Sequence, residues 1–392
     1  MQDVFILSGQ RTPIGDFGKG LKDIAPTKLG EIAIRAALKN AAVDAAEIGH
    51  VVMGNVIHTE PRDAYLSRAA AVDAGSPVET PALTVNRLCG SGLQAIVSAA
   101  QTIMLGDADI AIGGGAESMS RGGYLLPTER WGARLGDAQI IDMVVGALHD
   151  PFGHGHMGIT AENIASRYQL SREEQDLFSV ESHRRAAFAI AEGRFSSQIV
   201  AVDIPSRKGP ISFDTDEHVR DDINLEKLNA LKPAFKKDGS ITAGNASGLN
   251  DGGAAVVLAS GAEVSRRNTR PLARLVAYGF AGVEPAFMGL GPIPATQNAL
   301  KRAGLSIADI DVIESNEAFA AQACAVARDL GFAPEKVNPN GGAVALGHPI
   351  GASGAIIAHK AIYELHRTQT RYALATMCIG GGQGIAAIFE RV

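Results

Sequence analysis

A weak internal repeat limits this chain to few folds. A helical stretch at residues 29–40 leads through a short loop into strand-like residues 50–55, and the same order recurs at residues 295–304 and 311–316. Each strand-like stretch ends in an asparagine, the second of which is Asn316. Alternating helices and strands in two copies are typical of layered α/β architecture. We therefore expect two similar α/β halves related by a pseudo-twofold axis.

The repeat continues through two glycine-flanked corners. In each half a short strand reaches a corner, a helix follows, and the next strand is predicted to end in three glycines, at residues 113–115 and 380–382. Cys89 occupies the first corner and His348 the second. Glycine lets the backbone turn sharply or a ligand approach closely. A pseudo-twofold arrangement would therefore bring Cys89 and His348 together.

The first half contains a long insertion. Its returning strand begins only near residue 253, whereas the second half returns directly at residue 384. The intervening segment is therefore predicted to be inserted into a hairpin of the first half. The predicted units are an N-terminal half (1–118 plus 251–270), a loop domain (119–250), and a C-terminal half (271–392).

The composition excludes several classes of protein. A chain of 392 residues exceeds what one hydrophobic core usually serves, and 46% apolar with 20% charged residues is typical of a globular protein. Lys and Arg total 36 against 42 Asp and Glu, and no basic run occurs, so neither nucleic acid nor a membrane surface is an expected partner. No apolar run of membrane-spanning length and no leader are recognised.

The motifs predict no metal and no tightly bound cofactor. Three cysteines are too few for a disulfide framework and match no zinc pattern, so reduced thiols and a cytoplasmic location are expected. The glycines at 113–115 lack the third glycine of a dinucleotide motif. Those at 380–382 precede a strand rather than a helix.

Cys89 and His348 are a candidate nucleophile and base. Cys89 lies between a strand end and a helix start, where free N–H groups and the positive helix end would lower its pKa from about 8.5. The alternative is a small buried apolar residue, which is how most free cysteines behave. His348 could accept the Cys89 proton, or could be a purely structural histidine.

Two further residues complete the candidate chemistry. Cys378 ends an apolar strand, where burial would raise its pKa and suit an acid that must return its proton, although it could equally be a core residue. The N–H groups of the glycine turn after it could bind an oxyanion. Asn316 could hold a water, or cap the next helix. Cys324 is expected in the core, and the other histidines on surfaces, turns or helix faces: His50, His58, His149, His154, His183, His218, His359 and His366.

Four motifs together resemble the signatures of the thiolase family. They are Asn-Arg-Leu-Cys-Gly-Ser-Gly at 86–92, Asn-Glu-Ala-Phe-Ala at 316–320, the stretch from Asn-Pro-Asn-Gly-Gly to Gly-His-Pro at 338–349, and Cys-Ile-Gly-Gly-Gly at 378–382. They occur in the family's order over the full length, and parts of the insertion match as well. The similarity is greatest to the bacterial short-chain biosynthetic branch, the acetyl-CoA acetyltransferases and β-ketothiolases. It implies the thiolase fold and a homotetramer.

The resemblance also implies a ping-pong reaction. Cys89, deprotonated by His348, would attack an acyl-CoA and become an acyl-thioester. Cys378 would then remove the α-proton of a second acetyl-CoA, whose carbanion attacks the acyl group in a Claisen condensation; thiolysis is the reverse. One oxyanion site would comprise His348 and a water held by Asn316. The other would comprise the backbone N–H groups of Cys89 and Gly380.

Coenzyme A and acetyl-CoA are implied as substrates. By the resemblance, Ser247 would meet the pantetheine and Arg220 the nucleotide, and Met157 and Met288 would lie close to the acyl group. The other residues implied to line the channel are Leu148, His156, Phe235, Ala243, Leu249, Ala318 and Phe319.

The sequence therefore predicts an acetyl-CoA C-acyltransferase, and three alternatives stay open. Val219 stands where this branch often has proline and Gln383 where methionine is frequent, which argues against strict acetyl specificity and for a β-ketothiolase that accepts slightly longer 3-ketoacyl-CoA substrates. The first alternative is a degradative 3-ketoacyl-CoA thiolase of broader range. A non-catalytic acyl-CoA- or lipid-binding relative would need none of the reactive residues. A decarboxylating condensing enzyme would use one Cys with two His. Polyhydroxyalkanoate precursor synthesis and fatty-acid breakdown both use such an enzyme.

Overall fold

The computed structural model describes residues 2–392. The strands β1–β14 are Val4–Arg11, Gly15–Asp16, His50–Gly54, Ala82–Val85, Ile110–Ser118, Tyr124–Leu125, Ile141–Asp142, Val202–Ile204, Ile211–Phe213, Asn250–Ser260, Ala273–Gly282, Val312–Ser315, Tyr372–Ile379 and Gln383–Arg391. The helices α1–α12 are Pro26–Ala41, Leu66–Asp73, Ser91–Leu105, Met143–Ala147, Met157–Tyr168, Arg172–Ala191, Leu225–Asn229, Gly261–Arg267, Pro292–Ala303, Ala320–Leu330, Ala343–Leu346 and Ser353–Thr368.

The main sheet shows the repeat directly. Its order is β12-β13-β14-β11-β1-β10-β5-β3-β4, with β2 beside β10. In the N-terminal part β3 runs parallel to β4 and β5, while in the C-terminal part β12 runs parallel to β13 and Ile313 forms a parallel bridge with Val337. The order β3-β5-β10-β1 therefore recurs as β12-β13-β14-β11. This topology confirms the predicted pair of similar α/β halves.

Helices α3 and α12 form the central layer. They pack against each other and contact both parts of the sheet, while α1 lies on the outer face of the N-terminal part and α9 on that of the C-terminal part. The window Leu88–Leu105 is long and apolar enough to cross a membrane, contrary to the expectation from sequence, but 61% of it is buried inside the protein. Its apolar character therefore suits a helix that is covered on both sides by sheet and helix.

The long inserted segment lies between neighbouring strands. Strand β5 ends at Ser118 and β10 begins at Asn250, and the two pair antiparallel. Between them, α6 begins with the capping box of Ser171 and Glu174, in which Ser171 Oγ accepts the Glu174 N–H. The domain boundaries drawn from the sequence stay a prediction.

One strand differs from its predicted form. The glycines at 113–115 lie inside β5 rather than after it. A Cβ at Gly113 would lie 2.6 Å from Ile96 Cα, and one at Gly115 would lie 2.0 Å from the Gly351 carbonyl oxygen. These glycines are therefore needed because α3 and the loop containing Gly351 pack directly on the strand. No phosphate-binding turn exists at this position.

Candidate active site

A strained turn presents Cys89. Leu88, the residue before it, has φ +46°, in the left-handed region that a leucine rarely occupies. Asn86 Oδ1 accepts the Leu88 N–H at 3.0 Å, and Ser91 Oγ accepts the Arg87 N–H at 2.8 Å while donating to the Leu88 carbonyl at 2.6 Å. These side-chain bonds hold the turn between β4 and α3. Cys89 is thereby fixed at the predicted strand-to-helix corner.

The Cys89 thiol has a raised pKa, contrary to the expectation of a low one. Burial raises its pKa to about 11; the N–H groups of Gly380 and of Cys89 itself oppose the rise, and the nearby Glu117 carboxylate adds to it. The helix end and the N–H donors were correctly placed by the sequence. Their effect is smaller than the cost of removing a thiolate from water.

His348 is buried and neutral. It follows Gly347, which has φ +102°, and its backbone N–H donates to Asn250 Oδ1 at 2.8 Å. Burial lowers the pKa of the imidazole to about 4. Burial therefore favours a neutral thiol and a neutral imidazole where Cys89 and His348 face the cavity.

Asn316 lies beside the imidazole rather than at a helix end. Its Nδ2 is 3.4 Å from His348 Nε2, and its backbone N–H donates to the Thr376 carbonyl at 3.0 Å. The helix that follows begins at Ala320 with Phe319 as its N-cap, so Asn316 is not a capping residue. Its amide is therefore available to the site.

Cys378 lies on β13, one residue before that strand ends. Burial, and next the neighbouring Cys89, raise its pKa above the ordinary range, in agreement with the direction expected from the sequence. The turn that follows uses Gly381 and Gly382 at φ +80° and +84°. Gly380 begins this turn, and its N–H faces the Cys89 sulfur.

One cavity of about 410 Å³ joins these groups. Cys89, His348 and Cys378 all line it. So do all the residues that the family resemblance assigned to coenzyme A: Leu148, His156, Met157, Arg220, Phe235, Ala243, Ser247, Leu249, Met288, Ala318 and Phe319. Asn316 and Gly380 lie behind this lining, against His348 and Cys89 respectively.

The cavity wall is apolar and preformed. The rings of His156 and Phe235 stack with centroids 4.5 Å apart, and a Cβ at Gly158 would lie 2.3 Å from the Phe235 ring. The Ser247 N–H donates to the Ala318 carbonyl at 3.0 Å. Flat aromatic surface with few polar groups is typical of a small-molecule site.

Several lining residues were missed. His218, expected on a surface or in a turn, lines the cavity, is 9% exposed and has Nδ1 2.9 Å from Asp16 Oδ1. His183 and His359 are also buried. Their burial was not predicted, because a single sequence does not show which helix face points inward. Cys324, expected in the core, is only partly buried, in a groove between α6 and α10. The other missed lining residues are Met119, Val144, Val145, Ala234, Thr242, Ala246, Gly248 and Ile350.

The described residues contain no candidate metal site. Among residues 2–392, no group of three or more His, Cys, Asp or Glu side chains could hold a metal ion.

Comparison with known proteins places this geometry in a family. Residues 4–262 match the model "Thiolase, N-terminal domain" and residues 269–391 match "Thiolase, C-terminal domain". The chain is 63% identical over 392 residues to beta-ketothiolase BktB of Cupriavidus necator, covering 100% of both chains. It is 49% identical to an acetyl-CoA acetyltransferase of Chromobacterium violaceum, covering 99% of this chain and 100% of that protein.

A solved structure agrees over the full length. Human mitochondrial 3-ketoacyl-CoA thiolase in complex with CoA matches with a TM-score of 0.97 at 44% identity, covering 100% of this chain and 98% of that one. Both halves and the inserted segment are therefore shared with that structure. The chain is an enzyme that belongs to the thiolase family.

Proposed function

We propose that the chain is an acetyl-CoA C-acyltransferase. It condenses two acyl-CoA molecules, acetyl-CoA in the simplest case, to a 3-ketoacyl-CoA such as acetoacetyl-CoA, and it catalyses the reverse thiolysis. The observation that carries the proposal is the convergence of Cys89, His348 and Cys378 on one apolar cavity. The names of the similar proteins, beta-ketothiolase and acetyl-CoA acetyltransferase, support it.

In the first half-reaction Cys89 becomes acylated. His348 Nε2 accepts the thiol proton as Sγ attacks the thioester carbonyl, and the oxyanion receives hydrogen bonds from the N–H groups of Cys89 and Gly380. The intermediate collapses to acyl-Cys89 and a coenzyme A thiolate, which takes its proton from Cys378. A neutral resting pair supports this order, because the proton then moves only as the new C–S bond forms.

In the second half-reaction the Cys378 thiolate acts as the base. It removes the α-proton of a second acetyl-CoA, and the carbanion attacks the acyl carbon on Cys89. The enolate oxygen is stabilised by His348 and by a water held at Asn316, a role supported by the 3.4 Å separation of Asn316 Nδ2 from His348 Nε2. Cys89 leaves as a thiolate and takes back the proton from His348, so all three groups return to their starting states. One such oxyanion donor is typically worth about 3–4 kcal/mol.

Coenzyme A would enter along the inserted segment. Arg220 would pair with its nucleotide end and Ser247 would contact the pantetheine, while the stacked His156 and Phe235 line the path. This role is supported by the position of all four residues on the cavity that holds Cys89. Coenzyme A is then a substrate and not a bound cofactor.

The range of acyl chain lengths that the enzyme accepts distinguishes a short-chain thiolase from a broader 3-ketoacyl-CoA thiolase. Met157 and Met288 are buried in the cavity wall, which favours a short acyl group, although methionine repacks easily. The 63% identity to a protein named beta-ketothiolase favours the broader 3-ketoacyl-CoA range.

Thiolysis across four-, five- and six-carbon 3-ketoacyl-CoA substrates tests the function, followed as CoA-dependent loss of substrate absorbance. Activity confined to acetoacetyl-CoA supports a short-chain thiolase, and comparable rates on longer substrates support the broader enzyme. Inactivity on every substrate, in protein that folds, would return the non-catalytic binding alternative to first place. The direction in the cell, toward polyhydroxyalkanoate precursors or toward breakdown, would follow metabolite concentrations.

We also propose a homotetramer in the cytoplasm. The hairpin region between residues 124 and 143 exposes large apolar side chains, with Trp131 at 86% and Leu135 at 100% exposure, and such surface is typical of an interface. The three cysteines are free thiols, which supports a reducing compartment. Light scattering after gel filtration tests the assembly; a monomer at micromolar concentration would contradict it.

A further inference from the structure

Glu117 is a fully buried carboxylate without a step in the reaction above. It lies on β5 and its two oxygens accept four hydrogen bonds. Oε2 accepts the N–H groups of Val56 at 3.0 Å and Gly351 at 2.9 Å. Oε1 accepts the Ile57 N–H at 3.1 Å and Asn55 Nδ2 at 3.2 Å. Three donors belong to the N-terminal half, whereas Gly351 belongs to the C-terminal half.

The Gly351 carbonyl oxygen is also tightly packed, against three glycines of the N-terminal half. A Cβ at Gly115, Gly54 or Gly92 would lie 2.0, 2.8 or 3.1 Å from the Gly351 carbonyl oxygen. These three glycines form a cradle in the N-terminal half, into which the Gly351 peptide fits. Gly92 belongs to α3, the helix that follows Cys89.

Gly351 also ends the loop that carries His348. At the start of this loop the His348 N–H donates to Asn250 Oδ1 at 2.8 Å, and Asn250 lies on β10, the neighbour of β5. Two adjacent strands of the N-terminal half therefore hold both ends of a loop from the C-terminal half. Asn250 and Glu117 are the side chains that make these two contacts.

We propose that Glu117 is a positioning residue that holds the Gly351 peptide and so fixes His348 relative to Cys89 across the two halves. This inference rests on the proposed function, because it takes His348 as the base for Cys89. Placement matters here, since a proton acceptor must stay within hydrogen-bond reach of the group that it deprotonates.

A carboxylate suits this position better than an amide. Four N–H groups point at its oxygens, and a glutamine would turn its own NH₂ toward two of them. Burial raises the pKa of Glu117, whereas the N–H groups of Ile57, Val56 and Gly351 favour its ionised form. Such donors are what a buried carboxylate requires when no cation pairs with it.

The test compares Glu117→Gln with Asp63→Asn. Asp63 is an equally buried carboxylate of the same half, but it accepts bonds from Thr59 and Glu60 of its own loop and none from the loop of His348. Active sites are counted by covalent titration of Cys89, and kcat and KM for thiolysis are expressed per titrated site. For Glu117→Gln we expect kcat and the rate of Cys89 acylation to fall about 10- to 100-fold with KM for CoA little changed, because a small misplacement of His348 slows the reaction without weakening CoA binding. Asp63→Asn should keep kcat per site.

Unchanged kcat per titrated site in Glu117→Gln would overturn the proposal, and so would an equal fall in Asp63→Asn, which would indicate general destabilisation. Should Glu117→Gln not fold, Glu117→Asp provides the same comparison, because it keeps the charge but reaches less far. For Glu117→Asp a lowered kcat per site with unchanged KM is expected, and an unaltered kcat would again overturn the proposal. Failure of the proposed function is distinguishable, because the unaltered enzyme would then show no thiolysis.

Discussion

Ser353 Oγ lies 2.6 Å from His348 Nδ1 and donates its own hydrogen to the Pro349 carbonyl at 2.9 Å. Because a hydroxyl has one hydrogen, Ser353 can only accept at Nδ1, which therefore carries the ring proton. The lone pair of the neutral imidazole is then on Nε2, the nitrogen near Asn316. Ser353 thus selects the tautomer in which His348 acts as a base toward the cavity.

Replacement of Ser353 by alanine should lower kcat about tenfold, the effect of one lost hydrogen bond of about 1.4 kcal/mol, with KM for CoA little changed. The loss arises because both tautomers become accessible. Steady-state thiolysis measures it. Ser265→Ala is a matched control, since that exposed hydroxyl makes the same bond to the carbonyl four residues earlier, Gly261. Equal kcat in both variants would contradict the tautomer assignment.

Cys89 should hold no thiolate at neutral pH. Its pKa of about 11 means that the thiolate accumulates only as the pH rises toward that value. The difference in ultraviolet thiolate absorbance between the unaltered enzyme and Cys89→Ala, followed across the pH range, reports this ionisation. A thiolate signal that titrates near or below neutral pH would indicate a preformed ion pair with His348.

Alanine variants of the two cysteines at the cavity should affect the two half-reactions differently. Cys89→Ala removes the nucleophile and should lose about 10⁴-fold or more in activity, with no acyl-enzyme. Cys378→Ala should still form acyl-Cys89 from labelled acetyl-CoA but lose condensation by about 10²–10⁴-fold, the range of one acid–base group. Mass spectrometry of the labelled peptide and the condensation rate give the two readouts. Condensation at the normal rate in Cys378→Ala would refute its role as the base.

Three buried histidines should each lower the stability as the pH drops from about 6.5 toward 4. Burial lowers the pKa of His348 and His183 to about 4 and that of His359 to about 3, from an ordinary value of 6.5. In this window the unfolded chain binds protons that the folded protein does not, so each histidine reduces the free energy of unfolding by up to about 1.4 kcal/mol per pH unit.

Urea unfolding at several pH values measures this dependence. His359→Gln keeps a donor for the Ala355 carbonyl. It should remove the contribution of one histidine from the slope of the free energy of unfolding against pH. His154→Gln, at an exposed position, provides the control. An identical slope in His359→Gln and the unaltered protein would show that His359 does not contribute.

The amino-acid sequence by itself predicts the local structure of this protein. The repeat, the two corners that carry Cys89 and His348, and the strand that ends before residues 380–382 follow from short-range patterns of apolar residues and glycine. The family motifs extended this reading to the reactive residues and to eleven residues of the cavity lining. The helices, strands and corners within each copy of the repeat depend on residues close in the chain, where spacing determines backbone conformation.

Tertiary structure decided the rest, because burial and long-range contacts have no local signature. The helix-end position of Cys89 predicts a low pKa, yet burial by distant segments reverses the direction. Glycines that resemble a turn at 113–115 lie in a strand, since Gly351 packs on them from more than two hundred residues away. The partners that orient His348, namely Ser353, Asn250 and the carboxylate of Glu117 through Gly351, emerge only when the two halves meet.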